Sequence, residues 1–255
     1  MGKIIVFSNQ KGGVGKTTSA VNVAACVGKM GKKVLLVDLD PQGNTTSGVG
    51  INKRKMPLSS YDVLVGRAPA ENCVTNLESD FDNLSIIPAN INLAGAEFEL
   101  IQDEKREYKL RDALVPIRDN YDFIFIDCPP SLGMLTINTL VASDYVVIPM
   151  QCEFYSLEGL SQLMQTIKTC KRLYNKNLQL LGILITMHNG RLNLSMQVMD
   201  ELKKYYAGKL FKTTIPRNVR LSEAPSYGSP IIYYDPYSKG AEAYRAVSSE
   251  MLERL

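Results

Sequence analysis

No apolar run in this 255-residue chain approaches the eighteen or so residues that a membrane-spanning helix needs. Even a dense stretch such as Leu180-Leu181 and Ile183 to Ile185 is short and broken by Gly182. An integral membrane protein is therefore excluded. Only four apolar residues, Ile4 to Phe7, follow Met1-Gly2-Lys3, too few for the apolar segment of a secretory signal. Val6 stands where N-myristoylation would need Ser or Thr. A cytoplasmic location is expected. The five cysteines, Cys26, Cys73, Cys128, Cys152 and Cys170, are odd in number and lack any C-x-x-C spacing, so they suggest neither a disulfide framework nor a zinc site. They read as small buried hydrophobes in a reducing compartment. Internal repeats, low-complexity tracts and linkers are also missing, and one domain over residues 1–255 is expected.

What the chain has is a regular alternation. Compact runs rich in Val, Ile, Leu and Phe occur at Lys3 to Ser8, Lys33 to Val37, Leu84 to Pro88, Tyr121 to Ile126, Tyr145 to Met150 and Leu178 to Thr186. They read as strands buried on both faces. Between them, Lys16 to Met30, Ile91 to Gln102, Lys105 to Asn120, Ser156 to Asn175 and Ser195 to Tyr206 carry apolar residues at helical spacing. The segment from Gly43 to Thr75 is the least regular, and Ala224 to Pro230 reads as an ordered turn region. The predicted fold class is α/β, a mostly parallel twisted sheet with helices on both faces. Ligands of such sheets bind beyond the carboxyl ends of the strands, which directs attention to the loops after Phe7, Val37, Ile126, Ile148 and Ile185.

The first of those loops carries Ser8-Asn9-Gln10-Lys11-Gly12-Gly13-Val14-Gly15-Lys16-Thr17-Thr18. It departs from the phosphate-loop pattern G-x-x-x-x-G-K-[ST] by placing Gln10 at the first glycine and by gaining Lys11. Gly12, Gly13 and Gly15 allow positive φ and a close backbone approach to phosphate, and the helix that follows adds its N-terminal partial charge. Lys16 would reach the β- and γ-phosphates, and Thr17 would offer its hydroxyl to Mg²⁺. The apolar run Phe123-Ile124-Phe125-Ile126 ends in Asp127, the expected Walker B carboxylate that holds Mg²⁺ through water. Asp38 and Asp40 would share a face if their strand continued that far, and either could turn toward the γ-phosphate.

These residues, together with VLLVDLDPQGN, FIDCPPSLG, VVIPMQCE, LEGL and IPRNVRLSEAPSYG, resemble the ParA-type partition ATPases of the short, Soj-like kind over essentially the whole chain. The larger group includes MinD and the nitrogenase iron protein. The resemblance implies a deviant P-loop NTPase that binds ATP with Mg²⁺ through residues 11–18 and forms an ATP-dependent homodimer, with Lys11 reaching the partner's phosphates and Gly12 at the closest approach. It further implies that Asp40 orients the attacking water, that Asp38 supports the metal site, and that Pro129, Pro130 and Ser131 form a γ-phosphate switch. Pro216 and Asn218 would contact adenine.

Charge is uneven along the chain. Thr186 to Arg220 holds seven basic and two acidic side chains, a local +5 within a total of +3. Such asymmetry points to an anionic partner, although a solvated face is the commoner meaning of a local excess. The resemblance implies nonspecific DNA bound through Arg191 and Arg220, with Lys203, Lys204, Lys209 and Lys212 as weaker candidates, and nucleoid association. It also implies slow hydrolysis stimulated by a ParB-like centromere-binding protein. The long plasmid-borne relatives carry an N-terminal helix-turn-helix, which is not seen here, so operator-specific autoregulation is not expected. A MinD-like membrane ATPase would need a lysine-rich amphipathic C-terminal helix, whereas Lys239 to Leu255 has three basic and three acidic residues. An iron-sulfur carrier would need cluster-spaced cysteines. A regulator of replication initiation or of sporulation transcription, using the same ATP switch, is the remaining alternative.

Overall fold

The structure, a computed structural model, describes residues 1–255. Its strands are β1 (Lys3–Phe7), β2 (Val34–Asp38), β3 (Thr75–Asn76), β4 (Leu84–Ile87), β5 (Phe123–Asp127), β6 (Tyr145–Met150) and β7 (Gln179–Ile185). They form one sheet in the order β3-β4-β2-β5-β1-β6-β7. Every neighbouring pair is parallel except β3 with β4, a short antiparallel edge. The helices are α1 (Lys16–Lys29), α2 (Asn44–Gly48), α3 (Ser60–Leu64), α4 (Leu93–Leu100), α5 (Lys109–Leu114), α6 (Met134–Ala142), α7 (Phe154–Leu173), α8 (Asn193–Tyr206), α9 (Val219–Glu223), α10 (Ile231–Tyr234) and α11 (Lys239–Arg254).

Successive residues of a strand face opposite sides of a sheet, and the core divides accordingly. Ile4, Val6, Leu35, Val37, Ile124, Ile126 and Ile148 pack with Leu93, Leu110, Leu140, Leu163 and Leu202 on one side. Ile5, Phe7, Leu36, Phe125 and Val147 pack with Val23, Val27, Tyr244, Val247 and Met251 of α1 and α11 on the other. Hydrophobic residues on both faces explain why the central strands read as continuous apolar runs rather than as alternation.

All six expected strands are present. The single helix expected over Lys105 to Asn120 is not. It forms a 3₁₀ turn at Arg106–Tyr108, then α5, then a 3₁₀ stretch at Val115–Asn120. Pro116 lacks an N–H and its ring opposes helix continuation from the preceding turn. Two long elements, α6 and α11, were not expected from periodicity. Helix α6 is buried almost all round, which erases the amphipathic signal. The irregular Gly43–Thr75 segment contains α2 and α3, the latter opened by a capping box in which Ser59 and Asp62 exchange hydrogen bonds. In the Ala224–Pro230 region, Gly228 packs backbone-on-backbone against Gly50: a Cβ built on Gly228 would sit 2.5 Å from the Gly50 Cα. Both glycines have left-handed φ, +62° and +82°.

Candidate nucleotide site

The parallel register puts the ends of β1, β2 and β5 level, pairing Phe7 with Asp127 and Asp38 with Asp127. The loops leaving those three strands therefore converge. The first of them runs from Ser8 to Gly15 and enters α1, with Gly13 and Gly15 at φ +73° and +82°. A Cβ on Gly12 or Gly13 would meet nothing within 4 Å, so the loop's outer surface is open to a ligand or a second chain. Asn9 braces its start, donating Nδ2 to Pro149 O at 2.8 Å and accepting the Lys11 N–H at 3.0 Å. Lys16 is buried, its Nζ 3.1 Å from Lys11 O.

Asp127 is fully buried at the end of β5. Its Oδ2 accepts the hydroxyls of Thr17 and Thr45, each at 2.7 Å, while Oδ1 is buried without a partner. An orphaned carboxylate oxygen in the interior is costly. Burial pushes this carboxyl up to about 6, against the pull of the two hydroxyls and Lys16. Asp38 is pushed further, to about 7, first by burial and then by the neighbouring Asp127. A divalent cation at Thr17 would relieve both. Thr17 spends its proton on Asp127 and keeps its lone pairs, so the donor set, one hydroxyl oxygen and one under-satisfied carboxylate, fits Mg²⁺.

The strand carrying Asp38 stops there, so Asp38 and Asp40 do not share a continued strand face. Asp38 turns inward. Its Oδ2 accepts the N–H and hydroxyl of Thr46, at 2.8 and 2.7 Å, and its Oδ1 accepts the Asp40 N–H at 3.1 Å. Its visible task is to fix the Asp40–Thr46 loop. Asp40 accepts the Gln42 N–H through Oδ1 at 2.9 Å, leaving Oδ2 without a hydrogen bond within the chain. Pro130 and Ser131 lie exposed just beyond Asp127.

Lys11 does not turn into its own loop. Its ammonium is ion-paired with Glu153 at the start of α7, and both side chains are about half exposed. Pro216 forms a parallel bridge with His188, and the His188 N–H donates to Ile215 O at 2.9 Å, which joins the segment before Arg191 to the segment before Arg220. Asn218 caps α9 by accepting the Arg220 N–H at 2.8 Å. The two arginines differ. Arg191 is exposed and has no ion pair, whereas the Arg220 guanidinium reaches Glu223 at 2.9 Å and Asp235 at 3.3 Å. Lys203 and Lys204 are exposed on α8. All five cysteines are buried and none forms a disulfide.

Sequence reasoning missed Thr45, Thr46, Gln151 and Thr186. Gln151 and Thr186 directly follow β6 and β7, and Thr45 and Thr46 lie in α2 where the loop leaving β2 ends, so the rule locating ligands beyond strand ends pointed to their neighbourhood but gave no reason to select them.

Fold and site together define an ATPase domain of the P-loop class, and the family described as an AAA domain matches residues 2–180. The sporulation initiation inhibitor protein Soj of Bacillus subtilis is 55% identical over 251 residues, 98% of each chain. The chromosome partitioning protein ParA of Myxococcus xanthus is 49% identical over 254 residues, 100% of this chain and 89% of that one. The chain belongs to the Soj/ParA family of partition ATPases. Among solved structures, cobyrinic acid a,c-diamide synthase of Mycobacterium smegmatis with bound ADP and magnesium is 36% identical, with a TM-score of 0.86 over 99% of this chain and 95% of that one. A plasmid partition protein of Borrelia burgdorferi bound to AMPPNP is 27% identical, with a TM-score of 0.84 over the full length of both.

Proposed function

We propose that this ATPase partitions chromosomes by using ATP to switch between a free chain and a DNA-binding homodimer. The observation that carries the nucleotide half is the half-buried Thr17 hydroxyl bonded to the buried Asp127, whose other oxygen is orphaned, beneath the open glycine loop. Residues 11–18 would hold the phosphates, with Lys16 on the β- and γ-oxygens, and Pro216 and Asn218 would border the adenine. Thr17, and Asp127 through water, would hold Mg²⁺, whose charge would neutralise the phosphate oxygens. The unpaired Oδ2 of Asp40 would accept a hydrogen bond from the attacking water and orient it.

Lys11 is the candidate for the contact between chains. In the single chain it stands on the open side of the loop, held only by Glu153, and a second copy carrying a γ-phosphate would compete for it. Two chains joined in this way would present two copies of Arg191 and Arg220 together. Because each phosphate contact releases counterions, doubling the contacts raises affinity for nonspecific DNA steeply and makes it salt-dependent. Hydrolysis, stimulated by a ParB-like partner, would dissolve the pair on the nucleoid and release the DNA. The relatives named Soj and ParA support this reading.

The test measures the ATPase rate with DNA and a ParB-like protein, each alone and both together, alongside light scattering of Lys11→Ala. The expected result is synergy, with a Lys11→Ala chain that loads nucleotide but stays monomeric. ATP-dependent dimers of that variant would refute the role given to Lys11. A second reading, a regulator of sporulation or replication acting through the bound state, draws on the likeness to the Bacillus sporulation initiation inhibitor. Asp40→Ala, locked before hydrolysis, would retain a purely binding function and lose partition. A membrane role finds no support in α11, whose Tyr244, Val247 and Met251 are buried in the core. No helix is long and apolar enough to cross a membrane.

A further inference from the structure

The carbonyls of Gly13 and Val14 lie outside every helix and strand, and no backbone N–H donates to either. Each is satisfied by one side chain from elsewhere. Gln151, directly after β6, donates Nε2 to Gly13 O at 2.9 Å. Thr186, directly after β7, donates Oγ1 to Val14 O at 2.8 Å. The Thr186 hydroxyl also lies 3.1 Å from Met150 O, but that carbonyl already accepts the Thr186 N–H at 2.8 Å. The shorter contact, to a carbonyl that has no other donor, takes the single hydroxyl proton, which goes to Val14. The other amide proton of Gln151 goes to Met187 Sδ at 3.1 Å. Met187 itself holds a left-handed φ of +49°, a strained conformation for a residue with a side chain.

A trans peptide plane points each carbonyl opposite to the N–H of the next residue. Fixing the oxygens of Gly13 and Val14 toward Gln151 and Thr186 therefore aims the N–H groups of Val14 and Gly15 the other way, away from those two anchors. Without such anchors a loop of three glycines would sample many orientations, and ordering it on binding would cost affinity.

We infer that Gln151 and Thr186 are positioning residues for phosphate recognition: neither is needed to touch the ligand, and together they hold the N–H groups of Val14 and Gly15 ready for the β-phosphate of a nucleoside di- or triphosphate. The inference rests on reading residues 11–18 as the phosphate site.

Equilibrium binding of Mg-ADP and of a nonhydrolysable Mg-ATP analogue, with steady-state hydrolysis, tests it on Lys16→Ala, Thr186→Val, Thr186→Ser and Gln151→Met. Thr186→Val keeps the shape and removes the hydroxyl, and is expected to weaken both nucleotides about tenfold, the worth of one buried hydrogen bond left unmade. Thr186→Ser restores binding to within about twofold, and Gln151→Met weakens it about threefold to tenfold. KM should rise while kcat stays close to the parent's, since the loop grips ground and transition states alike. Parent-like affinity in both Thr186→Val and Gln151→Met, with Lys16→Ala unable to bind, overturns the positioning role alone. Equal losses in Thr186→Val and Thr186→Ser also overturn it, because packing rather than the hydroxyl would then matter. Normal binding by Lys16→Ala overturns the reading of the loop itself. Should Thr186→Val fail to fold, Gln151→Met, at a partly exposed position, decides the matter.

Discussion

The two charged regions of this molecule are built in opposite ways. At the carboxyl ends of β1, β2 and β5, the central polar side chains are buried and have fixed partners: Asp38 to Thr46, Asp127 to Thr17 and Thr45, Asn9 to Pro149. In the basic third of the chain, Arg191, Lys203, Lys204, Lys209 and Lys212 stand in solvent. A buried site can be selective because its geometry is set before the ligand arrives, and one lost group leaves a neighbour unsatisfied. An exposed patch is additive and tolerant, each side chain contributing a similar, salt-screened increment. The nucleotide recognition proposed for the first region and the sequence-independent DNA binding proposed for the second fit that division.

Substitutions should reproduce the contrast. The largest effect is expected for Lys16→Ala, which removes the only buried ammonium in the loop. Nucleotide affinity should fall at least about a hundredfold, as for loss of more than one charge-assisted hydrogen bond, measured by calorimetry. Asp40→Ala should lower kcat by about a hundredfold to ten-thousandfold, the range for losing a general base or water-orienting group, while nucleotide still binds. Retained turnover would remove Asp40 from the mechanism. In the other region, Arg191→Ala should leave nucleotide binding unchanged and reduce the salt slope of DNA binding by about one per chain, read by electrophoretic shift at several salt concentrations. An unchanged slope would remove Arg191 from the DNA surface. The smallest effect is expected for Glu223→Gln with Asp235→Asn. These two carboxylates hold Arg220, and surface pairs are worth about 1 kcal/mol or less. Freeing the guanidinium should raise DNA affinity by only about twofold to fivefold.

Legibility followed the same division. The six parallel strands were readable because burial on both faces leaves nearly unbroken Val, Ile, Leu and Phe runs, and the nucleotide loop because glycines, lysine and threonine must occur there in fixed order. Helix α6 was hidden for the reason that exposed the strands: burial all round leaves no polar stripe to mark a helical period. The Lys105–Asn120 helix was overextended because periodicity outweighed Pro116. At the site, Lys11 was visible as an anomaly, but its pairing with Glu153, 142 residues away, depends on β6 lying next to β1 and on nothing local. Gln151 and Thr186 were invisible for the same reason. Their partners are backbone carbonyls, which leave no trace in the sequence.

The contact between Gly50 and Gly228 sets a constraint on how the cleft can breathe. Two bare stretches of main chain, one leading on from the Asp40 loop through α2, the other following the segment that carries Asn218, are pressed together with no side chain between them to slide or rotate. The cleft's two banks are thereby riveted at this point. Any widening of the cleft must then come from elements away from this contact, such as the glycine loop at Gly12 and Gly13, whose outer surface is open.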